Sequence, residues 1–160
     1  MTLDELPGYL MMLAARAGEA AIPASDAMSG HFTKVVKERL TAKSHARGTV
    51  TPAPAGGPPA MESGELAGSV QQVPASTPVV ATSSSAPHVE PRDWVQEYGI
   101  GGGISAKRFP YMKFTYNGVQ RKAWVPAHER SYMRSTLEIL IGDGSLTREA
   151  AAAFYAAMWG

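Results

Sequence analysis

The sequence contains no cysteine, and charged residues make up only 18% of its 160 positions. Without thiols there can be no disulfide, no thiolate metal site and no cysteine nucleophile. A formal net charge of +1 creates no global field that would demand a nucleic-acid partner. No apolar run reaches the roughly 18–20 residues needed to cross a bilayer. The amino terminus, MTLDELPGYLMMLAARAGEAA, is acidic where a secretory leader is basic, so no signal peptide is expected.

Patterns that carry chemistry are equally scarce. The four histidines, His31, His45, His88 and His128, never pair at i,i+3 or i,i+4, and none belongs to HExxH. GIGGGIS (99–105) lacks the GxxxxGK[ST] of a phosphate loop and reads as a flexible glycine loop. Ser83, Ser84 and Ser85 have no GxSxG context. A triad of Ser85, His88 and Asp93 has only its residue types in its favour. Glu90, Asp93 and Glu97 fit an exposed acidic helix face better than a cation site. No catalytic, cofactor-binding or metal-binding residue is assigned. The chain is not expected to be an enzyme or to need a cofactor.

What is present suits a core, since 44% of the residues are hydrophobic. Leu6, Leu10, Leu13 and Ala17 recur at spacings of three and four, which predicts a helix over 4–21. Pro7 is tolerated in its first turn, and Pro23 should end or kink it. A second helix is expected over 25–45, capped by Ser25 or Asp26, with Met28, Phe32, Val35, Val36, Arg39 and Leu40 as its buried stripe. Its last turns carry Lys34, Lys37, Lys43 and Arg47. Cations there are favoured by the helix dipole, and they could equally face phosphates or an acidic partner.

A Pro/Gly-rich arm over 48–62 follows, holding Pro52, Pro54, Pro58, Pro59 and Gly56-Gly57. Ser63-Gly64 turns the chain into ELAGSVQQV, a strand candidate, which should pair as a hairpin with PVVATSSS (78–85). RDWVQEYG can form one or two helical turns ending at Gly99. PYMKFTYN and VQRKAWVP alternate in polarity around Asn117-Gly118, the strongest hairpin signal in the chain, and Pro126 should stop the second strand. Helix resumes over 128–141, with Tyr132, Leu137, Leu140 and Ile141 on its buried side. A last short helix is capped by Thr147.

This order predicts an α+β fold with a mainly antiparallel sheet. Helices over 1–47 and the region 63–141, with its sheet, short helix and C-terminal helix, should form one domain. Residues 142–160 add a short C-terminal helix.

Three segments, in order, resemble one family: PAGGPPAMESGELAGSV (54–70), HVEPRDWVQEYG (88–99) and WVPAHERSYMRSTL (124–137). They are similar to the head–tail connector, neck and tail-completion proteins of long-tailed bacteriophages, also called tail-component or minor tail proteins. The matching positions are Pro58, Pro59, Gly64 and Leu66; then Trp94, Glu97, Tyr98 and Gly99; then Pro126, Arg130, Tyr132 and Arg134. The family usually has arginine directly before a proline in the third motif, whereas this chain reads His128-Glu129-Arg130-Ser131.

The resemblance implies a long N-terminal helical segment packed on a small, mainly antiparallel sheet, with C-terminal helices and the proline-rich extended arm. It implies a structural virion protein, made in the host cytoplasm, at the head–tail junction. As a neck or connector ring, or a tail terminator, it would join the DNA-filled capsid to the tail. The implied partners are other copies of itself in a ring, expected to be hexameric, and neighbouring connector, stopper and tail-tube proteins. Genomic double-stranded DNA would pass through the lumen, and no membrane is involved. The arm would then lie across a neighbouring subunit or ring, the simpler expectation being a linker. A different class remains open: a nucleic-acid-binding accessory protein using Lys34, Lys37, Lys43 and Arg47, or the basic-aromatic hairpin over 107–124.

Overall fold

The computed structural model describes residues 3–44, 46, 58–59, 61, 64–84, 100–104, 112–116, 119–123, 125–127 and 131–160. These residues are mostly helical. Helix α1, Leu6–Thr41, is the spine, 36 residues long and so about 54 Å from end to end. A 3-10 turn at Leu3–Glu5 leads into it, and Pro7 sits in its first turn.

The two expected helices are one, because α1 runs through Pro23. The reason lies in which way Pro23 faces. Its ring is exposed, and so is Glu19, whose carbonyl loses its helical partner and can turn to water. On the other side Ala20, Ala24 and Ser25 are buried, so packing holds the two halves in line. Ser25 is not a cap. Its hydroxyl donates to the Ala21 carbonyl at 2.9 Å.

The core forms around the second half of α1. Phe32, Val36 and Leu40, spaced four apart, meet Ala67, Val70, Tyr132, Leu140 and Leu146, with Met28 and Val35 packed at the edge. The expected stripe of this half is therefore the observed one. Thr41 ends the helix, its hydroxyl donating to the Lys37 and Glu38 carbonyls.

The expected strand from Glu65 begins instead as a short helix, α2, Glu65–Ser69. Glu, Leu and Ala favour a helical turn, and the Gly68 N–H closes it on the Gly64 carbonyl at 2.9 Å. Strand β1 follows at Val70–Gln72 and pairs antiparallel with β2, Thr82–Ser84, from Val70↔Ser84 to Gln72↔Thr82. Residues 78–81 are not strand.

Beyond these, β3 (Ile100–Ile104) pairs antiparallel with β6 (Val125–Ala127), and β4 (Met112–Tyr116) with β5 (Val119–Ala123). Two expectations change here. The glycine segment is extended and paired, and Pro126 lies inside a strand whose register is irregular between Ile100 and Ile104. Each strand has one partner, so the described residues form three separate two-stranded ladders and no larger sheet.

Helix α3, Met133–Gly142, begins after the expected start at His128, and α4 spans Ser145–Trp159. Gly144, not Thr147, occupies the cap of α4. Asp143 makes the turn between them. The Ser145 hydroxyl and then its N–H, at 2.8 Å, hold the Asp143 carboxyl below its ordinary value of 3.8. His31 and Arg148 lie close enough to add to that effect. Helix α4 packs extensively on α1.

Candidate functional site

The β1–β2 hairpin is held to α1 by a polar stripe. Asp26 accepts from Gln72 Nε2 at its carbonyl (3.0 Å) and at Oδ1 (2.8 Å), and from the Ala75 N–H at 3.2 Å. Ser29, wholly buried, donates to the Ala81 carbonyl, and Thr33 bonds the Thr82 hydroxyl at 3.1 Å. Gly30 leaves room for the Gln72 side chain, whose Oε1 would stand 3.1 Å from a β-carbon there. Asp26, Ser29, Gly30 and Thr33 recur at helical spacing, so one face of α1 is built to hold a hairpin. Sequence reading took Asp26 for a cap and gave the other three no role. The available signal was small and polar residues at i, i+3, i+4 and i+7 beside the apolar stripe.

The basic end of α1 divides. Arg39 donates to Ser135 Oγ at 3.2 Å and Thr136 Oγ1 at 2.7 Å, and so joins α1 to α3. Lys34 and Lys43 are exposed and Lys37 half-buried; their side chains make no ion pair among the described residues. Arg47 lies outside the described residues. Arg39→Met should therefore cost about 1–2 kcal/mol, because wholly buried Thr136 loses its donor. Lys34→Gln should stay within about 0.5 kcal/mol. Chemical denaturation of the two variants checks the contrast.

The resembling positions scatter in kind. Pro59 is buried and Pro58 half-buried. Gly64 has φ +81°, the left-handed region in which a β-branched residue is strained. Leu66 packs against the core, and Tyr132 is a central member of it. Arg134 is exposed on α3, and Pro126 lies in β6. Trp94, Glu97, Tyr98, Gly99 and Arg130 lie outside the described residues, as do His45, His88, His128, Glu90 and Asp93. Gly64→Val should cost about 1–3 kcal/mol, read as a drop in melting temperature; an unchanged melt would refute the turn.

The arm returns to its own chain. The Met61 N–H donates to the Lys43 carbonyl at 2.7 Å, and Met61 bridges Ser44 in parallel. Its two ends are thus pinned together, and residues 47–57 lie outside the described residues.

Large apolar side chains stand exposed at several places, among them Val73, Val79 and Val80 beside the hairpin and Tyr155 and Trp159 on α4, and two further groups lie on helix faces. One is the outer face of α3, where Leu137 (41%) and Ile141 (65%), expected to be buried, face away from the core. Thr136 and Leu140 take the single face that α3 can turn toward α1. The other is the amino-terminal end of α1, with Tyr9, Leu10, Met11 and Met12. Among the described residues no group of His, Asp or Glu could hold a metal ion, and no helix is long and apolar enough to cross a membrane. His31 Nε2 is buried without a hydrogen-bond partner among them.

No family model, no curated protein and no solved structure matches the chain. The described residues build a helical spine that holds the hairpin through a polar stripe and leaves large apolar side chains exposed.

Proposed function

We propose that the chain is a structural protein of a virion head–tail junction, a ring that joins the DNA-filled capsid to the tail of a long-tailed phage. The observation that carries this reading is the meeting of two resembling segments in one core. Leu66, from the first, packs against the cluster that contains Tyr132, from the third.

In this reading α1 is the spine of the subunit and the two-stranded β1–β2 ladder packs on it. The arm over 48–62 would contact a neighbouring subunit or ring. A ring needs two different patches on each subunit, one docking on the other. The aliphatic outer face of α3 supplies a candidate for one of them. The ring would act without cofactor or catalysis, by position alone.

Removing the gene tests the reading. Filled heads and complete tails should accumulate unjoined, and joined particles formed in its absence would contradict it. Deleting residues 50–60 should leave the protein folded yet give the same defect. The exposed lysines favour a second reading, a nucleic-acid-binding accessory protein. Wild type would then bind duplex DNA below micromolar Kd at physiological salt. Replacing Lys34, Lys37, Lys43 and Arg47 with Gln would abolish that binding and flatten its salt slope by about 0.9 per lost phosphate contact.

A further inference from the structure

The hairpin hands the chain to the basic flank of α1. Thr33 and Lys37 are one turn apart on the same ridge of the helix, with Lys34 beside them. Strand β2 runs along this ridge toward the carboxyl end of α1. Ala81 meets Ser29, Thr82 meets Thr33, and Ser84 pairs with Val70, which packs in the cluster with Val36 and Leu40. The chain therefore leaves Ser84 beside the turn of α1 that carries Lys37. Lys34 is exposed and Lys37 half-buried. Neither makes an ion pair among the described residues, although Glu38 follows Lys34 by four positions.

The charge that comes next in the chain is negative. Residues 85–99, outside the described residues, hold Glu90, Asp93 and Glu97 against one cation, Arg92. In the helical turns expected over 92–99, Asp93 and Glu97 share one face and Arg92 falls on another. Nine residues lead from Ser84 to Asp93, a reach of up to about 30 Å.

We infer that this acidic segment docks on the Lys34–Lys37 flank of α1 in its own chain, with Asp93 and Glu97 against the two lysines. The tether holds the acids at roughly millimolar local concentration, which favours them over a free acidic partner or a duplex. The segment thus occupies the lysines first and shields them from nucleic acid. Exposed ion pairs are individually weak, so the contact loosens in salt and does not hold the fold together. It lies within one subunit and does not depend on the virion reading.

Acylation of the folded full chain with N-hydroxysuccinimidyl acetate at low salt tests it, with rates read lysine by lysine by mass spectrometry. Replacing the acids together, by Glu90→Gln, Asp93→Asn and Glu97→Gln, should speed modification of Lys34 and Lys37 about threefold. Lys43, just past the end of α1, should react at its wild-type rate. The wild-type rates should also be the same after tenfold dilution of the protein. Rates at Lys34 and Lys37 that ignore the replacement overturn the contact. An equal rise at Lys43 also overturns it, because net charge alone would then account for the change. Protection that disappears on dilution assigns the flank to a second copy and overturns docking within one chain.

Discussion

Tyr132→Ala should remove about 3–5 kcal/mol of stability, the largest loss expected of any single truncation here. Tyr132 is 1% exposed and stands at the entrance to α3. Its ring lies in the cluster formed by Phe32, Val36 and Leu40 of α1, Ala67 and Val70 of the α2–β1 segment, and Leu146 of α4. Among the described residues, α1, α2, β1, α3 and α4 all contribute to this cluster. Removing the ring leaves a cavity at their meeting point, and three short elements with few other contacts cannot close over it. Its carbonyl also accepts from the Thr136 hydroxyl in the first turn of α3. Unfolding in guanidinium measures the loss. A cost under about 1 kcal/mol would mean that the elements are held together elsewhere.

Pro23→Ala should act in the opposite direction and add about 1–3 kcal/mol. Pro23 has no N–H to give to the Glu19 carbonyl, and its ring crowds the preceding turn of a helix that nonetheless continues. It is exposed, so alanine removes no core contact. Proline also restrains the unfolded chain, which returns about 0.4–1 kcal/mol and keeps the gain below the full penalty. The same denaturation experiment checks it. A loss on substitution would show that α1 needs the bend Pro23 imposes.

Pro23 also marks where sequence reading stops. A proline in mid-pattern is local information, and it correctly signals a cost. Whether the helix continues depends on the packing that buries Ala20 and Ala24, and a local pattern does not contain that packing. The Phe32, Val36 and Leu40 stripe was legible because period and burial coincide on one face. The unusual backbone at Gly64 was legible because a small-residue turn before a packed segment commonly needs positive φ.

Other features were not legible for equally physical reasons. Leu137 and Ile141 look like core residues by composition, and only the narrow contact of α3 leaves them outside. Arg39 looked like one more cation of a basic helix end, until α3 brought Ser135 and Thr136 within hydrogen-bonding distance. The Asp26–Thr33 stripe carried no hydrophobic signal at all, since its hold on the hairpin is polar. The arm read as a linker or as an extension onto a neighbour because nothing in its composition reveals that Met61 returns to Lys43.

The proposal of a junction ring is tested most directly by a negative-stain image of the purified wild-type protein. Closed rings around an open lumen, with sixfold symmetry in the class averages, are the predicted result. Folded protein that shows only single or paired particles, with no ring at any concentration, would contradict it.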